Sequence, residues 1–401
     1  MTANGEPLAI IYPGLHNSNQ GPDFLDAKIK TGNTTWAGNI ELHVLSSDWN
    51  NHGHSNDKNY GNIILHVVWE DDVQLNLPFP VLELQSKVSN LLLEQFDELM
   101  KARTFIACQT MVHQVAPLTW ISWKERLLIE RMQRKSTIIL QYLDQNKYHW
   151  EETFWWLIAR NFGYTVNSDA FEKIARSLSL NILSKHKSQL HQAEALLFGQ
   201  AGLLENDFME DYPRMLQKEY RFYQSKYQLQ PIQIPLHFLR MRPSNFPTVR
   251  LAQLSMLVHN STHLFSIVRE TIHLKDVRML LNIVANDYWH YHYTFEELSG
   301  FKEKKLGAQM IGSIIINTVV PVLFAFGHYH NETRYKDRAV GWLHEMAAEN
   351  NSITNAFSKL GVDNKNAFDS QALIQLKNEF CDQKRCLECV VGNSLLKDRM
   401  S

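Results

Sequence analysis

The chain has 401 residues, of which 44% are hydrophobic and 20% are charged, and its formal net charge is −2. This length and apolar fraction are sufficient for a sizeable core in one large domain or two, as in a soluble globular protein. A net charge so close to zero excludes a global electrostatic attraction to nucleic acid or to anionic membranes, so binding of either would need a local basic patch.

The first 85 residues have the pattern of β-strands separated by turns. Five short runs are rich in Val, Ile, Leu and Trp, and Gly, Asn and Asp residues lie between them. The runs are LAIIY, DFLDAKI, WAGNIELHVL, NIILHVVWE and VLEL. We therefore predict a mixed β-sheet that forms a β-rich domain over residues 1–85.

Helical periodicity begins after the sheet. Residues 86–101 and 117–146 place Leu, Ile, Trp and Met at helical spacing among charged residues. Pro117 suits the first turn of a helix, and Ser168 and Asp169 are candidate caps for the segment that follows them. These features predict an α+β protein in which a helical region, residues 86–375, packs on the sheet and a cysteine-containing tail, residues 376–401, follows it.

The most apolar stretch, residues 310–327, predicts a buried helix with a kink rather than a membrane span. Its polar and proline interruptions are Ser313, Asn317, Thr318 and Pro321. The N-terminal residues lack the basic start, the apolar core and the cleavage site of a signal peptide. We therefore expect a cytoplasmic protein with no membrane partner.

Two predicted neighbouring strands carry groups that can bind a metal. Glu41 and His43 alternate along one strand and therefore project from the same face. Asp23 begins the preceding strand, and pairing across the turn would bring its carboxylate towards Glu41, although the register is not determined by the sequence. Two neighbouring carboxylates repel unless a cation or a proton lies between them. The hairpin thus predicts Asp23 and Glu41 as ligands of Mg²⁺ or Mn²⁺, and the alternative is an ordinary solvated strand face.

Histidines are concentrated in the same region. His52, His54 and Asp57 follow in a polar connection, and His66 lies within an otherwise apolar strand. Imidazole is a good zinc ligand, so these histidines and His43 are candidates for a zinc site. Their spacing is not a known zinc signature, and a hydrated turn or a hydrogen-bonded core histidine is an equally open interpretation.

The pairs Pro22-Asp23 and Glu41-x-His43 resemble the PD-(D/E)xK nuclease pattern, in which the acidic residues bind a metal and a lysine assists. The resemblance implies a restriction-endonuclease-like core and a metal-dependent phosphodiesterase that acts on DNA or RNA, with Asp23, Glu41 and His43 as catalytic residues. His43 stands where the pattern has lysine; an imidazole can accept a proton from water but supplies no permanent positive charge. On this pattern, His43→Lys would preserve or increase cleavage. The alternative function is a non-catalytic nucleic-acid or protein interaction module that retains the nuclease-like sheet.

Longer motifs extend along nearly the whole chain. They are GLHNSNQGPDFLDAKI, WAGNIELHVLSSDWNNHGH, YGNIILHVVWEDD, RPSNFPTVRLAQL and CLECVVGNSLLK. Together they resemble the uncharacterised bacterial family catalogued as domain of unknown function 2851. The resemblance implies a bacterial source but no particular reaction.

The four cysteines are a second candidate metal site. They are Cys108, Cys381, Cys386 and Cys389, and the last three have the spacing C-x4-C-x2-C. Four thiolates can complete a tetrahedral zinc site or hold an iron–sulfur cluster if the fold brings Cys108 to the other three. One distant cysteine and a terminal trio is a layout similar to that of the iron-staple nucleases of recombination repair. Buried free thiols are the main alternative, and disulfides are the weakest explanation without an export signal.

Two further segments have weaker functional patterns. Arg240, Arg242 and Arg250 surround two prolines and could contact phosphate, although arginines in such loops more often stabilise helix ends. The aromatic run over residues 284–298 could stack on bases, although mixed spacing of this kind more often indicates packing.

Overall fold

The structure, a computed structural model, describes residues 1–239 and 242–397. The chain forms two compact units: one consists of Met1–Arg103 together with the residues from Leu396 on, and the other is Thr104–Leu395. A mixed sheet of six strands lies in the first unit, and a large helical region follows it. The α+β prediction is confirmed.

The sheet contains five of the predicted strands and one short additional strand. The strands are β1 (Leu8–Tyr12), β2 (Leu15–His16), β3 (Phe24–Thr31), β4 (Thr34–Leu45), β5 (Ile63–Glu70) and β6 (Val81–Glu83). Their order is β1-β3-β4-β5-β6, and β2 also pairs with β3. β3 runs antiparallel to β1 and β4, whereas β4, β5 and β6 are parallel. The two-residue β2 was not predicted because two residues have no detectable periodicity.

Alternate side chains of the central strands form the core of the first unit. The buried members of this cluster are Ala27, Ile29, Ile40, Ile64, Leu65 and Leu82. Three of the six are β-branched isoleucines, which suit a pleated surface, and β5 buries the consecutive residues Ile64 and Leu65 on both of its faces. β4 and β5 approach each other closely at Gly38, where an added Cβ would lie 2.5 Å from the carbonyl oxygen of Asn62. Any larger residue at position 38 would therefore separate these two strands.

The pairing of β3 with β4 contains a β-bulge. Ala27 pairs with Gly38, but Phe24 pairs with Ile40, so β3 has one more residue than β4 over this interval. Asp26, in the bulge, has a positive φ of 59°, and its N–H donates a hydrogen bond to the side chain of Asn39 at 3.2 Å. Because side chains alternate with a period of two, one extra residue turns the residues that precede it to the opposite face.

The described part of the chain contains 18 α-helices. They are α1 (Asp48–Asn51), α2 (Asn90–Lys101), α3 (Pro117–Gln145), α4 (Trp150–Phe162), α5 (Ser168–Ser177), α6 (Leu180–His186), α7 (Leu190–Gln200), α8 (Asp211–Tyr227), α9 (Pro247–Asn260), α10 (Leu264–Glu270), α11 (Leu274–Leu280), α12 (Asp287–His290), α13 (Ala308–Ile314), α14 (Val320–Tyr329), α15 (Thr333–Glu345), α16 (Ser352–Lys359), α17 (Ala367–Leu376) and α18 (Val390–Lys397). α3 begins at Pro117, as predicted. Ser168 is the first residue of α5, whose N-cap is Asn167 rather than the predicted Ser168 or Asp169.

The most apolar stretch forms the continuous helical segment Ala308–Tyr329, which is long and apolar enough to span a membrane by length and composition alone. Its most apolar part is 78% buried inside the protein, as in the core helix of a globular protein. A π-helical turn, Ile315–Val319, joins α13 to α14 immediately before Pro321. Proline cannot donate the regular helical hydrogen bond and crowds the preceding turn, which accounts for this irregularity.

Candidate metal centre

β4 presents Glu41 and His43 on one face of the sheet. Glu41 is 5% exposed, whereas the intervening Leu42 is 41% exposed on the other face. In the parallel pairing of β4 with β5, Glu41 lies opposite His66, which is completely buried. The three polar side chains therefore share one side of the sheet, as strand alternation requires.

The β-bulge brings Asp23 to Glu41. Because Phe24 pairs with Ile40, Asp23 lies opposite Glu41, and its N–H donates to Oε2 of Glu41 at 3.1 Å. In return, the N–H of Leu42 donates to Oδ2 of Asp23 at 2.9 Å. The first hydrogen bond holds Oε2 of Glu41, and the second holds the carboxylate of Asp23. The other oxygen of Glu41, Oε1, faces the histidines.

The segment after β4 folds back over the strand and places two more imidazoles there. His52 directly follows α1, Gly53 turns the chain with a φ of 72°, and His54 begins a 3-10 turn. Nε2 of His43 lies 3.1 Å from Nδ1 of His52 and 3.3 Å from Nε2 of His54. One ligand atom from each of these three histidines lies within 4.8 Å of the other two.

Two of the three nitrogen–nitrogen separations match the geometry of a bound transition metal, and the third is within 4.8 Å. With zinc–nitrogen bonds of about 2.0–2.1 Å, tetrahedral ligand nitrogens are separated by roughly 3.3 Å. The separations of 3.1 and 3.3 Å at His43 agree with this value. His52 is exposed, so the site is open to solvent on that side. The three nitrogens can therefore hold one ion that still has an accessible coordination position.

Glu41 is an unusual carboxyl group beside these nitrogens. Its Oε1 lies 3.6 Å from Nε2 of His43 and 3.4 Å from Nε2 of His54. Burial, followed by the negative charge of Asp23, raises the pKa of Glu41 to about 7. A cation at the histidines would oppose both effects and favour the ionised carboxylate.

The imidazoles of His43, His54 and His66 are held in the neutral form that binds metals. Burial, followed by the neighbouring histidines, lowers the pKa of His43 to about 4, and the same causes lower the pKa of His66 to about 4. The pKa of His54 is lowered as well, mainly by burial. At neutral pH these rings therefore offer nitrogen lone pairs and compete little for protons.

His66 lies at hydrogen-bonding distance from the second ring nitrogen of His43. Nε2 of His66 lies 2.8 Å from Nδ1 of His43, and Nδ1 of His66 is buried without a hydrogen-bond partner among the described residues. When Nε2 of His43 holds a metal, its Nδ1 carries the proton and donates to His66. Such a hydrogen bond fixes the tautomer and orientation of a ligating histidine.

Replacement of His66 by phenylalanine is expected to weaken metal binding by about 10- to 100-fold without unfolding the sheet. Phenylalanine fills a similar volume but accepts no hydrogen bond from His43. Calorimetric titration of metal-stripped protein with Zn²⁺ measures the change. His66→Gln, which keeps a hydrogen-bonding group, should lose less affinity, and equal affinities for all three proteins would contradict the supporting role.

Aromatic rings form an apolar wall behind the histidines. Trp49 is 3% exposed, and its ring centroid lies 5.3 Å from those of both His54 and His66. Tyr60 stacks on His54 with centroids 3.8 Å apart. Neither aromatic residue can be identified as part of the site from the sequence, because no local pattern distinguishes a residue that lines a site from one in ordinary packing.

Asp57 lies apart from the three-nitrogen group. Its side chain accepts a hydrogen bond from the N–H of Asn59 at 2.9 Å and caps the 3-10 turn Lys58–Tyr60. Its negative charge opposes the lowering of the His54 pKa. The structure therefore gives Asp57 a role in shaping the connection that carries His54.

All four cysteines lie in the second unit as free thiols. Cys108, Cys386 and Cys389 are buried, and Cys381 is half-buried. Cys108 precedes the other three by more than 270 residues, so their meeting depends on the tertiary fold.

Arg250 does not form a phosphate-binding patch. It is 8% exposed and donates to Asn245 at 2.6 Å and to Gln253 at 2.9 Å, so it ties a loop to α9. Arg242 is exposed, and Arg240 lies outside the described residues. In the aromatic run, Trp289 is completely buried, as expected for packing.

Comparison with known proteins identifies a family. A family model described as "Protein of unknown function (DUF2851)" matches residues 1–352. No curated protein and no solved structure matches the chain. The matched region includes the whole sheet and every residue of the histidine cluster, and since it covers most of the chain, this protein belongs to the DUF2851 family.

Proposed function

We propose that this protein is a metal-dependent, nuclease-like phosphodiesterase that acts on DNA or RNA. The supporting observation is the group of three imidazole nitrogens beside the fixed carboxylate of Glu41, on a hairpin that resembles the PD-(D/E)xK pattern. Three protein ligands and an open position are typical of catalytic zinc sites, whereas structural sites are closed by four protein ligands.

The ligand set favours a transition metal. Imidazole nitrogens suit Zn²⁺, whereas Mg²⁺ prefers a shell of oxygen ligands. A carboxylate beside three imidazoles also accommodates Mn²⁺. We therefore expect Zn²⁺ or Mn²⁺ to bind more tightly than Mg²⁺ at this centre.

The residues divide into ligands and a proton acceptor. His43, His52 and His54 would hold the ion, which would polarise the phosphate and lower the pKa of a water molecule. Oε1 of Glu41 would accept the proton of that water. The N–H of Asp23 donates to the other oxygen, Oε2, and so keeps Oε1 directed at the site. Asp23 is therefore a positioning residue, and Oδ1 of its carboxylate makes no hydrogen bond to a described residue.

The charge of the sheet region makes substrate binding depend on the metal. Residues 1–103 contain 13 acidic and 6 basic residues, a formal charge of −7 with neutral histidines. This charge repels a polyanion, so a bound cation is needed to attract a phosphodiester. The same acidic charge favours the second candidate function, a non-catalytic protein interaction module.

Glu41→Gln distinguishes the two functions. The amide keeps the shape of the side chain but accepts no proton, so we expect hydrolysis to fall by about 100- to 10,000-fold while metal binding changes by less than about tenfold. Single-stranded and plasmid DNA, RNA and a chromogenic phosphodiester serve as substrates in Zn²⁺, Mn²⁺ or Mg²⁺. Glu70→Gln, the same change at an exposed position at the end of β5, is the control. Absence of hydrolysis by the wild-type protein on every substrate would support the interaction module.

A further inference from the structure

The four cysteines form one mutually interacting group in the second unit. Burial, followed by the charges of Cys389 and Cys386, raises the pKa of Cys108 to about 12. Burial and the other three thiols likewise raise the pKa of Cys381, and burial and Cys389 raise that of Cys386. Each of the four thiols therefore interacts electrostatically with the other three.

Side-chain contacts bring the segment of Cys108 to the segment of the terminal trio. Nζ of Lys377, at the start of the turn that ends at Cys381, lies 5.0 Å from the ring centroid of Phe105. The rings of Trp123 and Phe380, the residue before Cys381, have centroids 5.1 Å apart. Four cysteine thiolates are the ligand set of both [2Fe–2S] and [4Fe–4S] clusters.

Local hydrogen bonds and close packing hold the backbone around Cys381, Cys386 and Cys389. Cys381 ends a π-helical turn, Lys377–Cys381, and its carbonyl accepts a hydrogen bond from Lys384 at 3.2 Å. α18 begins directly after Cys389. At Gly392, an added Cβ would lie 2.4 Å from the carbonyl oxygen of Cys386, so glycine allows α18 to pack against this turn.

Several N–H groups are directed at one of the sulfurs. Burial raises the pKa of Cys389, and hydrogen bonds from the N–H groups of Gly392 and Val391 oppose that shift. The indole of Trp123, which is 1% exposed, also lowers the pKa of Cys389. Its buried nitrogen has no partner within ordinary hydrogen-bond geometry among the described residues. N–H groups around a ligand sulfur stabilise its negative charge in iron–sulfur proteins.

We propose that Cys108, Cys381, Cys386 and Cys389 bind an iron–sulfur cluster that joins the beginning of the helical unit to its end. The C-x4-C-x2-C spacing with a fourth cysteine elsewhere also occurs in plant-type ferredoxins, although there the fourth cysteine follows the trio. This proposal does not depend on the histidine centre, since the two groups of residues lie in different units.

The first measurement is the metal and sulfide content of wild-type protein purified without oxygen. We expect a brown protein that absorbs near roughly 400 nm and contains iron and acid-labile sulfide in equal amounts, about two to four of each per chain. Acid-labile sulfide distinguishes the cluster from any metal at the histidines, because imidazole sites contain none.

Cys386→Ser tests the ligands. We expect its iron and sulfide content to fall below about a tenth of the wild-type value and its Tm to fall as well, because a group bound only by the folded state stabilises that state. Leu387→Ser makes a similar change at the adjacent, 56% exposed position and should keep the cluster.

Two results would overturn the proposal. A colourless wild-type protein with one zinc ion that is lost in Cys386→Ser but kept in His54→Ala would refute the assignment to iron and sulfide. Failure of wild-type protein to take up a cluster during anaerobic reconstitution with ferrous iron and sulfide would leave the cysteines as buried apolar packing.

Discussion

His54→Ala is expected to lower the affinity of the histidine centre for Zn²⁺ or Mn²⁺ by at least about 100-fold and to abolish hydrolysis. Nε2 of His54 belongs to the group of three clustered imidazole nitrogens, and it lies 3.3 Å from Nε2 of His43. Two remaining imidazoles provide too few ligands to compete with water for the ion. Calorimetry on metal-stripped protein measures the affinity, and elemental analysis of purified protein measures the occupancy.

The control for this change is His16→Ala, which removes an exposed histidine of β2 that lies outside the cluster. It should leave metal affinity unchanged. Circular dichroism must show that both variants retain the wild-type secondary structure. Unchanged metal binding in folded His54→Ala would show that the three imidazoles are not the ligands.

His43→Lys is expected to eliminate metal binding and hydrolysis. Nε2 of His43 lies within 3.3 Å of nitrogens from His52 and His54, so a lysine ammonium there would occupy the place of the cation and repel it. Lysine also lacks the ring that pairs with His66. The PD-(D/E)xK pattern predicts the opposite result, because there lysine is the expected residue beside a metal held by carboxylates.

Metal binding and hydrolysis by His43→Lys therefore distinguish two arrangements of the metal site. Leu42→Lys is the control, since it adds the same charge to the same strand on the opposite, exposed face. If His43→Lys retains cleavage and Mn²⁺ binding, the carboxylates of Asp23 and Glu41 hold the ion and the histidines only surround it. Loss of both properties in His43→Lys but not in Leu42→Lys supports the three-histidine site.

The spacing of the cysteines in the sequence identifies only part of their candidate site. Cys381, Cys386 and Cys389 are close in sequence, so the chain alone indicates that they can share a ligand. Whether Cys108 joins them depends on the packing of the helical unit, and the structure places it where it interacts with the other three.

The sequence by itself determined the five main strands, the onset of helices after the sheet and the common face of Glu41 and His43. These features follow from local periodicity, since side chains alternate along a strand with a period of two and recur along a helix with a period of 3.6.

The tertiary structure alone decided how these groups meet. The β-bulge at Asp26 sets the register that places Asp23 opposite Glu41. The parallel pairing of β4 with β5 places His66 opposite the same residue, and the turn at Gly53 folds His54 back onto the strand. Register and long-range pairing depend on the summed packing of many distant residues, so no short sequence pattern contains them.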